Sequence, residues 1–196
     1  VMPTASEEPW DVVSGADANV INGFSGNNMF TYKYSHDSGV NLTASYINAS
    51  DAVTDVSYSD YGITYTGMDG LTLGYGEGDV ESVTGTKSAE STMFAKYAMG
   101  GFTVGIQTSE KDNDGSSDVE STGIGISYQV NDDLTVSYGT NTIETVGSTD
   151  QDSVAVGVSY TMGSLGISFS MNQVDNIAHS ATNDREAYQL GLSFAF

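Results

Sequence analysis

The sequence predicts an all-β protein, the wall of an antiparallel transmembrane β-barrel with about eleven strands, and three observations carry that prediction. Apolar residues alternate with small polar ones at the strand period of two, with little sign of the helix period. The alternating segments recur in a hairpin repeat of 31 or 32 residues. Connections between them are short at one end and long at the other, the asymmetry of barrels that cross an outer membrane.

Composition removes most competing classes. The chain has 196 residues, room for one domain of ordinary size, and 26 acidic against 5 basic residues give a formal charge of −21. Nucleic acid is excluded as a partner, because binding phosphates needs clustered cations. The absence of cysteine removes disulfides, thiolate metal sites and a cysteine nucleophile. No apolar run approaches the roughly 18 residues of a membrane helix. No secretion signal opens the chain, so export implies a leader already removed. Both prolines, Pro3 and Pro9, lie in the first nine residues, so the rest of the chain can donate a complete hydrogen-bond ladder.

Each strand follows from its alternation. Descending segments end on Tyr34, Tyr65, Tyr97, Tyr128 and Tyr160, and after a short turn the next begins at Val40, Leu71, Phe102, Leu134 and Leu165. This places strands near 28–36, 39–48, 56–66, 71–76, 91–99, 102–109, 121–130, 134–143, 153–162, 165–173 and 187–196. The ninth shows the grammar: Val154, Val156, Val158 and Tyr160 on one parity, Ala155, Gly157, Ser159 and Thr161 on the other. The turn-end tyrosines form one aromatic girdle at the short-turn end. Two segments break the pattern. Val56 and Tyr58 share a parity opposite to Tyr61, Ile63 and Tyr65, which predicts a bulge near Asp60. Phe94 shares the parity of Lys96 and therefore points to the polar side, against a folded-in loop or through a shift of the upper strand.

The polar parity of Gly, Ser, Thr, Ala and Gln suits a water-lined surface and is too small to fill the core of a soluble sandwich. A soluble solenoid is the other reading of the repeat, but no glycine–aspartate calcium repeat accompanies it. Lys33 and Lys96 each precede a girdle tyrosine, which puts them on the polar side, either tuning ion passage or simply solvated near the mouth. The long connections 49–55, 77–90, 110–120, 144–152 and 174–186 collect most of the acids outside the first 27 residues. Asp112, Asp114 and Asp118 have some of the spacing of a calcium loop but lack its closing glutamate. They form a weak candidate Ca²⁺ site or a solvated acidic loop. Such acids can also bridge through Ca²⁺ or Mg²⁺ to lipopolysaccharide phosphates, and no other cofactor is implied. The histidines are His36, in a short turn, and His179, beside Ser180 with Asp175 and Asp184 near. No nucleophile elbow accompanies them, so a barrel lipase or protease is a minor alternative. A non-conducting barrel acting as adhesin or anchor is another.

The segment Tyr188-Gln-Leu-Gly-Leu-Ser-Phe-Ala-Phe196 resembles the C-terminal pattern of bacterial outer-membrane proteins. The resemblance implies that Tyr188, Phe194 and Phe196 are read by the membrane's assembly machinery. The stretch Ser25-Gly-Asn-Asn-Met-Phe-Thr-Tyr-Lys-Tyr through Tyr46 resembles the general diffusion porins, and the Gly-rich acidic style is most similar to the alphaproteobacterial, Rhodobacter-like type. That resemblance implies a sixteen-stranded homotrimer in the outer membrane of a Gram-negative bacterium, touching lipid and lipopolysaccharide. Its function would be passive diffusion of ions and small hydrophilic solutes, without enzymatic chemistry. Eleven strands then correspond to strands six to sixteen. Residues 1–27 fall in the constricting third loop and 28–196 in the barrel, with the first five strands on a separate chain or absent from the sequence. A complete ten- or twelve-stranded barrel is the rival count. In the porin reading Glu7, Glu8, Asp11 and Asp17 line the constriction, pinned by Trp10 and Val12, opposite basic residues of the wall. Together with the acidic loops this predicts a moderate cation preference.

Overall fold

The computed structural model describes residues 21, 29–48, 56–82, 85 and 87–195. Within them the chain is a single antiparallel sheet whose eleven strands follow one another in sequence order. They are β1 (Met29–Ser35), β2 (Val40–Ile47), β3 (Val56–Met68), β4 (Leu71–Ser82), β5 (Lys87–Met99), β6 (Phe102–Asn113), β7 (Val119–Gln129), β8 (Leu134–Thr145), β9 (Gln151–Met162), β10 (Leu165–Asp175) and β11 (Arg185–Phe194). Among the described residues, β1 and β11 are the two edges, and no pairing joins them.

The short turns work because their residues can reverse the chain in two to four positions. Gly39 and Gly70 take positive φ of 85° and 72°, a conformation that costs an L side chain heavily. A Cβ at either would also run into backbone atoms, Gly67 N and Ala98 O respectively. The turn before β8 lacks such a glycine and uses Asn131 instead. Its Oδ1 accepts the N–H groups of Asp133 and Leu134 at 2.9 and 3.0 Å, a side chain standing in for a backbone turn.

The strands separate two faces. Leu190, Leu192, Ile124, Ile126 and Val104 stand exposed on one side, while Ser45, Thr92, Ser109, Asn141 and Ser153 are buried on the other. That is the reverse of a soluble sheet, in which the greasy face is covered. Tyr34, Tyr97, Tyr128 and Tyr160 project from the apolar face at 38–43% exposure, with Tyr65 beside them half-buried. The Tyr128 ring stacks on Phe102 with centroids 4.3 Å apart.

Several sequence-based boundaries need correction. β4 runs to Ser82 and β5 starts at Lys87, so most of the predicted long loop over 77–90 is a strand ladder. The same holds at smaller scale for β6, β8 and β9. The reason is that apolar alternation ends where water begins, whereas backbone hydrogen bonding continues. No bulge occurs near Asp60: pairing is regular from Ile47↔Tyr58 to Val40↔Tyr65 and from Val56↔Ser82 to Tyr65↔Leu73. The register shifts only between Tyr65 and Met68, at the turn. Tyr58 simply faces the polar side, where it is buried over Gly78. Phe94 does the same without any strand shift. It sits directly opposite Gly74, and a Cβ on that glycine would lie inside the Phe94 ring.

Two outcomes test this packing. Gly74→Ala is expected to destabilise the folded sheet by about 1–3 kcal/mol through overpacking, and to cost much less in a Phe94→Ala background; equal costs in a double-mutant cycle by urea unfolding from lipid vesicles would show that the ring does not rest there. On the apolar face, Ile124→Arg is expected to lower stability in a bilayer by about 2–4 kcal/mol, while Ser127→Arg on the polar face is near neutral by the same measurement.

Candidate functional site

The polar face is a continuous wall, and register fixes what stands next to what. One cross-strand row reads Thr31, Ser45, Asp60, Gly78, Glu90, Lys111 across β1 to β6. At its centre Lys111 Nζ lies 2.9 Å from Glu90 Oε1, and the Glu90 side chain is fully buried. A buried carboxylate needs such a partner, since removing one member leaves an uncompensated charge. The next row, Lys33, Thr43, Gly62, Gly76, Thr92, Ser109, Ser121, is uncharged after its lysine. It is joined by hydroxyls: Thr92 Oγ1 lies 2.9 Å from Ser109 Oγ, and Ser121 donates to Asn141 Oδ1 at 2.9 Å.

Charge is sorted between the faces. Of the five basic residues, Lys33, Lys96, Lys111 and Arg185 stand on the polar face, opposite Thr43, Gly105, Glu90 and Val174. Asp60 and Glu90 are the acids of that face within the described strands. The other strand acids share the apolar parity but lie at the long-loop end. They are Glu77, Asp79 and Glu81 on β4, Glu110 and Asp112 on β6, and Glu120, Glu144, Asp152, Asp175 and Glu186 on β7 to β11 in turn. Glu110, Glu120 and Glu144 face one another directly across β6, β7 and β8. Like charges so paired repel, an arrangement tolerable only in water. They mark the upper border of the apolar band.

A second aromatic belt, unforeseen from the repeat, lies along that border. The hydroxyls of Tyr61 and Tyr75 both donate to the Glu77 carboxylate. Tyr46 donates to Asn48 Oδ1 and Tyr188 to Glu186 Oε2, each at 3.1 Å. Such amphipathic rings belong at a membrane–water interface. For Tyr46, Tyr75 and Tyr188 the legible signal was a polar acceptor two positions away, which a strand places on the same face, whereas Tyr61 meets Glu77 across the β3–β4 pair.

Lys33 and Lys96 are exposed on the polar face near the short-turn end. The Lys96 row continues through Gly105, Gly125 and Gly139, so its stem is open on the β6 side, while Thr72 faces it from β4. Glu7, Glu8, Asp11 and Asp17 lie outside the described residues, as do Trp10, Val12, Asn27, Asn28 and Phe196. Tyr188 and Phe194 project from the apolar face of β11 at 62% and 60% exposure. The candidate calcium residues are not drawn together. Asp114 accepts the Lys87 N–H at 3.3 Å and Asp118 the Asn113 N–H at 3.0 Å, while Asp112 points to the apolar side. No group of three metal-ligating side chains is assembled among the described residues. His179 is held by Thr149 O and Thr145 Oγ1 at 2.8 and 3.0 Å. Asp184 accepts instead from Asn176 N–H and Asp175 from Gln173.

Comparisons with known proteins agree with this architecture. The family model for Gram-negative porins matches residues 4–196. Among solved structures, an anion-selective porin from Comamonas acidovorans matches with a TM-score of 0.70 at 17% identity, over 87% of this chain and 60% of that one. A porin refined at 1.8 Å matches with a TM-score of 0.76 at 16% identity, over 94% and 69%. The trimer form of OmpT, an outer membrane protein of Vibrio cholerae, matches with a TM-score of 0.59 at 15% identity, over 94% and 73%. At such identities the likeness is one of fold, and the chain spans about three-fifths of the Comamonas porin. No curated protein matches by sequence. An exposed apolar band bordered by tyrosines, a hydroxyl-lined opposite face and a family match over nearly the whole length converge: the chain belongs to the Gram-negative porins, proteins of the outer membrane.

Proposed function

We propose that this chain forms most of the wall of a water-filled channel through which ions and small hydrophilic solutes diffuse passively. The observation that carries the reading is the inversion of the sheet, with apolar side chains exposed outward and a hydrogen-bonded, charge-bearing face opposite. Lipid tolerates no open strand edge, so β1 and β11 are read as pairing with further strands that close the barrel. Porin-like trimerisation and contact with lipopolysaccharide at the acidic rim belong to the same proposal. A channel needs no catalytic group, and the engagement of both His179 nitrogens with Thr145 and Thr149 favours a structural part for that residue over hydrolysis. Single-channel recording separates the channel from a non-conducting anchor: discrete ion-conducting steps from the reconstituted full-length protein support it, and a sealed barrel overturns it.

Selectivity follows from where the charges stand. The net charge of −21 favours cations at the mouth, but the described carboxylates are mostly on the outer rim, while four cations face the passage. Rim charges act through water and are screened within a Debye length of about 10 Å at 0.1 M salt and about 3 Å at 1 M. The expected result is a cation preference at low salt that falls to unity or below near 1 M, read from reversal potentials under a KCl gradient. A preference that holds at high salt would place the selecting carboxylates inside the narrowest part instead.

Lys96 is the cleanest probe of the wall, because its glycine neighbours leave it room. Lys96→Glu changes the local charge by two, and at about 8 Å through water with 0.1 M salt this is worth about 0.5 kcal/mol per passing ion. The cation-to-anion permeability ratio should rise about two- to fivefold, with conductance little changed. No shift in reversal potential would remove Lys96 from the permeation path.

A further inference from the structure

On β8 to β10 the polar wall carries a deeply buried apolar patch. Ile143 on β8 and Val174 on β10 stand among polar cross-strand partners, Ser121 and Gln151 for the first and Ser153 and Arg185 for the second, and both are almost fully buried, at 2% and 0% exposure. Between them, Gln151 and Ser153 on β9 are equally buried, in register with Ile143 and Val174 respectively. Ile177, 1% exposed, belongs to the connection from β10 to β11, whose short turn lies against β9.

That connection is fixed at both ends and along its length. Ala178 N–H donates to Gln151 Oε1 at 3.1 Å, and Asn176 Nδ2 to Asp150 O at 2.9 Å. His179 Nδ1 donates to Thr149 O at 2.8 Å, and its Nε2 then accepts from Thr145 Oγ1 at 3.0 Å. The loop also closes on itself, with Ile177 N–H donating to Asn183 O at 2.8 Å and Asn176 N–H to Asp184 Oδ1 at 2.9 Å. Asn176, Ala178 and His179 adopt positive φ, and they are the non-glycine residues that do so among those described. A left-handed alanine persists only where its surroundings over-determine it.

We infer that residues 176–184 form a fixed shelf that leans from the long-loop end onto the polar wall of β8–β10 and narrows the entrance of the passage, setting which solutes reach the interior. The inference rests on the channel reading above and adds a size-selecting element at its outer mouth. The direction of the fold carries it. A solvent-seeking loop has no reason to bury an isoleucine, or to tie its backbone to a buried glutamine, on the face that otherwise meets water. Held inward by these contacts, the loop takes cross-section from the mouth on one side.

The test uses the full-length protein reconstituted in planar bilayers and in vesicles. Replacing residues 177–183 by two glycines should raise single-channel conductance by at least about 1.3-fold, since conductance follows open cross-section, and should speed entry of larger sugars more than small ones. Should that deletion fail to assemble, cysteine labelling gives a second route, because this chain contributes no cysteine of its own. A bulky thiol reagent on Ser180→Cys should lower conductance, whereas the same reagent on Ser148→Cys, in the β8–β9 turn, should not. Ala178→Gly relieves the backbone and should leave conductance at the parental value. If the parental protein conducts while deletion and Ser180 labelling both leave conductance and sugar entry unchanged, the shelf is overturned and the channel stands; if the parental protein does not conduct, the channel reading itself has failed.

Discussion

Everything in this chain depends on one constraint: across hydrocarbon, each backbone N–H and C=O must be paired within the protein. A sheet satisfies it only as an unbroken ladder, and the described strands form one from β1 through β11 without a crossover. The ladder forces side chains to alternate between two faces. Once lipid claims one face, the other inherits the small polar residues. The prolines confined to the first nine positions, and turns built from Gly39, Gly70 or Asn131, are local consequences of keeping that ladder whole.

The same alternation sorts charge. An acid on the lipid parity is tolerable only above the apolar band, so Glu77, Glu110, Glu120 and Glu144 collect in one row where the strands emerge into water. Tyrosines at that level share their polar tips with these acids and give the border a defined height. Inside, a charge must be either solvated or paired, as with Lys96 on its glycine-flanked wall and Glu90 with Lys111. Among the described residues, rim and polar wall therefore carry opposite excesses, a division that the net charge of −21 conceals.

Much of this was legible in the chain. The repeat of tyrosine, short turn and apolar restart located every hairpin, and parity alone divided the residues between faces. What stayed hidden has physical causes. Strand ends such as residues 77–82 lost their alternation where both faces are wet, so they read as loop although their hydrogen bonds continue. That error concealed the Glu90–Lys111 pair, which counting outward from the hairpin of Met99 and Phe102 would have aligned. Tyr58 invited a bulge because an aromatic was assumed to seek lipid, whereas it rests over Gly78 on the polar side. The folding of the β10–β11 connection had almost no sequence signal: Ile177 is one apolar residue in a polar loop, and the loop's support comes from β8, β9 and the turn between them.

The exceptions to the parity rule are the informative positions. An apolar side chain on a water-facing wall is unfavourable unless something covers it. Met29, Ile47 and Val80 share the polar parity beside Tyr58, and three of the described exceptions have a cover nearby. Phe94 covers Gly74, Tyr58 covers Gly78, and Ile143 and Val174 are buried on either side of β9, where the β10–β11 connection is tied to Gln151. In the first two, an aromatic ring fills the gap left by a glycine on the adjacent strand, so the exception serves the sheet itself. The third needs a separate segment to close it, and that segment holds an alanine in the left-handed region, at about 1–2 kcal/mol. A structural repair would not choose a strained backbone when serine at 143 and 174 would have kept the wall polar without it. The strained backbone and the buried apolar pair both act to hold the loop against the polar wall, which is where the proposed shelf needs it.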